Sequence, residues 1–287
     1  MKIVIWGHTL HESTHSYVHS SYYKAFKFLG HDAYWFPDQP NDSMDWSNSV
    51  FFVEDQKRAH LPIRKDCKYI THHIDTNLFT SSGVPYESVT KLGNYLPREK
   101  KHERVSDLAY WDQSTRTLFQ CWGTDLLPHE IDYKNPVRFN PRNKTINYVG
   151  SFYEQGEWWA NSFAESAKQH GAGFKRHQWY ISDEQNKDLI RSSFLCPDFR
   201  SDWHIECGYM PCRVFKNISY GRVTGTNSTH IREVFGNLVA FGATPHTLYN
   251  NLLYADSNNT INMVEAMSLI KDKHTFINRV NNLLKVL

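Results

Sequence analysis

Several things are missing from this 287-residue chain, and each absence removes a class of function. No apolar run reaches the length of a membrane-crossing helix, so an integral membrane protein with helical spans is not expected. No basic or acidic excess exists: 32 Lys and Arg stand against 30 Asp and Glu, leaving +2. That balance gives no field of the kind that steers a protein to nucleic acid or an anionic membrane. Cysteine is scarce, odd in number and scattered (67, 121, 196, 207, 212), which excludes a disulfide framework and reads as reduced thiols in a cytoplasmic protein. Cys207 and Cys212 form a C-x₄-C with no second pair, which is not a zinc signature. No signal peptide is expected ahead of residues 2–6, so Asn143-Lys144-Thr145 reads as an incidental sequon. The Gly-x-Gly-x-x-Gly fingerprint of nicotinamide dinucleotide sites is absent too, as are internal repeats and heptads.

What the chain does contain is an alternation of short apolar runs with helical periodicity, the pattern of an α/β protein. Residues 2–6, 33–36, 50–53 and 69–74 read as strands, the first followed by a helix ending near Leu29. That helix is expected to turn Val18, Tyr22, Ala25, Phe26 and Leu29 inward. Residues 91–95 and 117–122 read as further strands, and the charged residues 97–107 as a surface loop or helix. Residues 140–144 read as a linker. The first domain is therefore expected to span 1–142, the second 143–271, with a C-terminal helix, 272–287, packing back on the first. In the second half, residues 145–151 read as a strand ending in a Gly-Ser turn, then come a helix at 157–170, a strand at 174–180 and a helix opened by Ser182.

Residues 193–235 carry the chemistry. An apolar strand is stopped by Pro197, a polar irregular loop runs from 198 to 209, and a helix follows between Pro211 and Gly221, residues suited to its two ends. Val214, Phe215 and Ile218 share one side of it; Arg213, Lys216, Asn217 and Tyr220 share another. A second strand then runs into the small polar residues 226–229. Free N–H groups at a helix start, a guanidinium at Arg213 and the Thr226 loop make an anion site; the competing reading is a packed helix whose cations are solvated.

Two doubly wound halves with an Arg-bearing helix in the second resemble the GT-B class of glycosyltransferases. Val149-Gly150-Ser151, Ser182-Asp183-Glu184 and Tyr209-Met210-Pro211-Cys212-Arg213-Val214-Phe215 with Gly221 are similar to the donor domain of exostosin-like and spore-coat-type members. Trp6-Gly7-His8 and Leu29-Gly30-His31-Asp32 are similar, more distantly, to the class's acceptor domains. The resemblance implies two Rossmann-like domains facing each other across a cleft, a nucleotide-diphosphate sugar on the second and a glycan or other hydroxyl acceptor on the first. Arg213 matches the position that meets the pyrophosphate, and Gly150 and Ser151 the turn facing it. Tyr209, Lys216 and Thr226 complete the expected donor set, with Trp179 and Tyr180 as stacking partners for a base. Lys216 stands where the family has Glu, and the E-x₇-E of retaining members is missing, since Val214 lies eight residues after Glu206; inversion is therefore expected. With no D-x-D motif, no metal or cofactor is expected. The acceptor side would draw on His8, His11 and His73, with Asp75 and His15 the first choices for the base. Two other readings fit the same halves: a nucleotide-sugar epimerase using Asp202 and Glu206, and a nucleotide-sugar or glycan-binding protein without catalysis.

Overall fold

The computed structural model describes residues 1–10, 14–97, 102–152, 155–178 and 181–287, with the side chain of Thr14 left aside. Two compact units emerge: Met1–Asp125 together with Phe276–Leu287, and Leu126–Thr275. Residues 126–142, read from sequence as the tail of the first half, lie in the second unit, where Val137 N donates to Gly221 O at 3.0 Å and Phe139 packs on Phe194.

The first unit opens with β1 (Lys2–Gly7), α1 (Thr14–Phe28), β2 (Asp32–Pro37), β3 (Val50–Glu54) and β4 (Lys68–His72). A single turn, α2 (Asn77–Thr80), precedes β5 (Val89–Gly93), β6 (Glu103–Ser106), β7 (Ala109–Asp112) and β8 (Thr117–Gln120). They form one sheet in the order β2-β1-β3-β4-β5-β8-β7-β6, parallel except around β7. β1 and β3 are buried throughout their apolar residues because both faces of a parallel sheet are covered. Trp6, Phe51, Tyr69 and Phe79 fill one face, while Val18, Tyr22, Ala25 and Phe26 of α1 are buried as their spacing predicts. Each such large side chain contributes roughly 2–3 kcal/mol by leaving water.

One stretch departs from expectation. Residues 103–106, taken for part of a surface loop or helix, form the edge strand of an antiparallel hairpin with β7. Its exposed Glu103 and Arg104 are the charges with which sheet edges discourage pairing to other chains, so high charge there is compatible with a strand.

The second unit runs β9 (Thr145–Val149), α3 (Gln155–Gln169), β10 (Gly173–His177), α4 (Asp183–Arg191), β11 (Cys196–Asp198), α5 (Asp202–Glu206) and α6 (Cys212–Ser219). It continues with β12 (Thr224–Thr226), α7 (Thr229–Phe235), β13 (Ala240–Phe241), α8 (Pro245–Ser257) and α9 (Met263–Lys273). α10 (Phe276–Val286) returns to the first unit, where Phe276 meets Tyr22 and the buried Arg279 donates to the carbonyls of Cys121 and Trp122. All strand pairs of the second unit are parallel, β10 with β9 and β11 with β12 with β13. Phe194 N, just before β11, donates to Thr145 O of β9 at 2.7 Å and sets the two groups edge to edge.

Here too the sequence reading needs correcting. The supposed irregular loop 198–209 contains α5, capped by the Ser201 hydroxyl, and α8 occupies a region to which no element was assigned. Ser182 closes a reciprocal capping box with Gln185, as its position predicts. Pro211 is the N-cap of α6 rather than its first helical residue, and Gly221 (φ +87°) follows its C-cap. The polar side of α6 is not open: Lys216, Asn217 and Tyr220 are buried with the apolar side. Asn217 accounts for its own burial by donating to Cys196 O and Thr224 Oγ1.

Candidate functional site

Ligands of open α/β sheets gather at the carboxyl ends of the strands, where the strand order reverses direction. In the second unit that place lies between β9 and β11, and in the first between β1 and β3. Each holds a dense group of polar side chains.

In the second unit the group is built on three neighbouring strand ends. Arg213, in the first turn of α6, lays its guanidinium over the Tyr148 ring with 3.9 Å between guanidinium carbon and centroid. Its Nη2 donates to Val149 O at 2.7 Å and its Nη1 reaches Asp198 Oδ1 at 3.4 Å. Gly150 (φ +132°) lies directly against it, and a Cβ there would collide with Nη2. Asp198, fully buried at the end of β11, holds a second guanidinium more tightly: Arg200 Nη2 to Oδ1 at 2.6 Å and Nε to Oδ2 at 3.0 Å. Asn227, past the end of β12, clamps the Arg200 backbone by accepting from its N and donating to its O, both at 2.7 Å. Thr226 Oγ1 reaches Asp198 Oδ2 at 3.5 Å and accepts from Ser228 N. The Tyr209 ring lies beside Arg200 and His204. Burial works against the charge of Arg200, but Asp198 and the two tyrosines hold its pKa above the ordinary value. Burial lowers His204 and raises Tyr148. Two guanidiniums share one carboxylate, which leaves a single net positive charge at the switch point.

Of the donor-side residues read from sequence, Gly150, Tyr209, Arg213 and Thr226 therefore converge. Ser151 is exposed beside Gly150, and Lys216 is buried in the packed body of α6. Trp179 and Tyr180 lie outside the described residues, as does His11. Sequence reasoning passed over Asp198, Arg200 and Asn227; an acid directly after an apolar strand end is the signal that marks the first of them. Asp202 and Glu206, the acids an isomerising enzyme would use, are exposed, and Asp202 is engaged with Gln155.

The first unit's group is a set of imidazoles around one carboxylate. His8 follows β1, Glu54 ends β3, His72 ends β4, and His15 and His19 sit one turn apart on α1. His8 Nε2 and Glu54 Oε2 are 2.9 Å apart and almost wholly buried, so this bond spans β1 and β3. The His15 ring lies 5.7 Å from His8, 4.9 Å from His72 and 6.3 Å from His73, centroid to centroid. Burial lowers the pKa of His15 despite the opposing pull of Glu54, drives His19 well below its ordinary value, and pushes His72 down to about 2. Burial alone would raise Glu54, yet the bonds from His8 and the Gln56 N–H keep its carboxyl below the usual value. Burial thus disfavours the charged forms of His15, His19 and His72 beside a carboxylate, in a cluster suited to accepting protons or ligating a cation. Ligand atoms of His15, His72 and His73 lie within 4.8 Å of one another, and so do those of His8, His15 and Glu54. Asp75 is exposed two residues further on and uses both oxygens to hold Asn77 at the start of α2.

No protein-family model and no curated protein matches the chain. Among solved structures it is similar to AviGT4, a glycosyltransferase involved in avilamycin A biosynthesis, at 11% identity and a TM-score of 0.51, over 99% of this chain and 98% of that one. It is also similar to a glycosyltransferase from Rickettsia africae ESF-5, at 9% identity and a TM-score of 0.53, over 99% and 97% of the two chains. At these identities the likeness establishes a shared fold, seen in solved glycosyltransferases.

Proposed function

We propose that the chain is a glycosyltransferase of GT-B type that moves a sugar from a nucleoside-diphosphate donor to a hydroxyl of a glycan or similar acceptor, with inversion. The observation that carries this reading is the Arg213 guanidinium packed on the Gly150 turn at the switch point of the second unit. The shared fold supports it, as does the positive charge left where Arg200 and Arg213 share the single carboxylate of Asp198. The competing reading, a purely structural arginine, draws on the contacts that Arg213 already makes. Its Asp198 contact is long, however, and its side chain keeps 16% exposure where Arg200 keeps 9%.

In this reading Arg200, Asp198 and Asn227 form a rigid frame, and Arg213 is the donor that turns to the diphosphate. Its charge neutralises the leaving group as the sugar gains oxocarbenium character, and no metal is needed at the phosphates. The acceptor hydroxyl meets the first unit's histidine cluster. His15, kept neutral by burial, is the group that takes its proton. Asp75, the other choice from sequence, has its carboxylate committed to Asn77 and is assigned the lesser part.

A panel of nucleotide sugars, assayed for release of nucleoside diphosphate with and without added saccharide acceptors, tests the reading. The expected result is turnover with one donor, reduced about 10²–10³-fold in Arg213→Ala. An isomerised donor with no diphosphate released would instead favour an epimerase, and tight binding with no turnover a binding protein.

A further inference from the structure

The first unit's cluster contains more nitrogen donors than the proposed proton transfer uses. We propose that His15, His72 and His73 form a binding site for a divalent transition-metal ion of the zinc type, with its fourth position open. This departs from the sequence-based expectation that the protein needs no metal or cofactor, an expectation drawn from the missing D-x-D motif.

Three observations carry the site. The ligand atoms of these residues lie within 4.8 Å of one another. Tetrahedral zinc with bonds of 2.0–2.1 Å needs them about 3.3 Å apart, and half-buried His15 and exposed His73 are the side chains whose rotation would bring them to that spacing. Second, His72 is 2% exposed and its Nε2 has no hydrogen-bond partner. A buried polar atom left unpaired costs roughly 1–3 kcal/mol, and a metal bond would remove that cost. Third, successive side chains of an extended strand point to opposite faces, yet the His72 and His73 rings stand only 3.9 Å apart. The cause is the left-handed backbone of His73 (φ +63°), which costs a non-glycine residue about 1 kcal/mol or more. Local strain thus holds two neighbouring imidazoles side by side, with His15 facing them from α1.

The donor set selects the ion. Three imidazoles suit Zn²⁺, Co²⁺, Ni²⁺ or Cu²⁺, whereas Mg²⁺ and Ca²⁺ want oxygen ligands. The nearby Glu54, already bonded to His8 and Gln56 N, adds negative charge close to His15. A lone pair holding a metal cannot take a proton, so ion and proton compete at His15. This consequence, that added Zn²⁺ slows transfer, rests on the glycosyltransferase reading; ion binding itself does not.

The test uses the full chain, stripped by chelator and titrated with Zn²⁺ by calorimetry and with Co²⁺ by visible absorption. One equivalent of each is expected, with tetrahedral Co²⁺ bands, and Zn²⁺ but not Mg²⁺ raising the melting temperature. His73→Asn keeps a residue that tolerates the left-handed region and should fold normally. It should bind about tenfold or more weakly, as should His15→Asn. No stoichiometric binding by the parent chain, or undiminished affinity in His73→Asn, overturns the site. Zinc binding by a chain that transfers no sugar upholds the site and counts against the transferase reading alone.

Discussion

Gly150 and Arg213 occupy one space: the backbone of the first bends through φ +132° where a side chain would strike Nη2 of the second. The strand end of β9 and the start of α6 are thereby fitted to each other, and the guanidinium lies flat on Tyr148. Gly150→Ala must both strain the backbone and displace Arg213. The expected cost is ~1–3 kcal/mol of stability in urea unfolding, together with loss of diphosphate binding. A variant of parent stability and affinity would show that the close fit is unimportant.

Asp198 balances two arginines in a buried place. Asp198→Asn keeps the shape but removes the charge, leaving Arg200 buried without a counter-ion. Breaking such a pair from one side costs about 3–5 kcal/mol. A loss below about 1 kcal/mol in equilibrium unfolding would mean that water reaches Arg200 and that the frame is looser than drawn.

His15 and Asp75 separate the proposed base from a structural acid. His15→Ala should lower the rate of transfer about 10²–10⁴-fold, the range for loss of a general base. Asp75→Ala should lower it less than about tenfold, since its oxygens hold Asn77 N and Nδ2. The reverse ranking in steady-state assays would move the base to Asp75.

Stability should carry a pH signature from the second unit. Burial pushes the Asp256 carboxyl up to about 6 from its ordinary 3.8, against the pull of Arg222 Nη2 at 2.8 Å. The native state therefore gains a proton that the unfolded chain takes up only near 3.8. The contribution of this group is complete below that value and is lost as pH rises through about 6. Relative to Asp256→Asn, the parent chain should gain on the order of 2 kcal/mol as pH falls from 7 to 4. Parallel melting curves for the two proteins across that range would contradict the assignment.

The path from sequence to site was uneven, for physical reasons. Pro211, Gly221 and Ser182 are local signals and marked helix ends within a residue. α8 was legible in principle, from Thr244-Pro245 and the spacing of Leu248, Tyr249, Leu252 and Ala255, and was passed over. The burial of Lys216, Asn217 and Tyr220 was not legible, because spacing reveals the faces of a helix but not how many of them are covered. The family resemblance pointed to Arg213 and to the Gly150 turn as two sides of a diphosphate site, not to their direct contact; it did not point to Asp198, Arg200 and Asn227, because their meeting depends on β11 and β12 lying side by side. His8, His15 and His73 are legible together as residues near strand ends on the expected acceptor side. Their convergence with Glu54, His19 and His72 depends on the order β1-β3-β4, which no local pattern fixes.

The most direct test is calorimetric titration of nucleoside diphosphates into the parent chain, Arg213→Lys and Arg213→Ala. One diphosphate should bind the parent, Arg213→Lys should weaken it by losing the planar two-pronged contact, and Arg213→Ala should weaken it about tenfold to a hundredfold, the worth of a charge-assisted bond of roughly 1.5–3 kcal/mol. Equal affinity in all three proteins would contradict the assignment of Arg213 to the phosphates and, with it, the donor site.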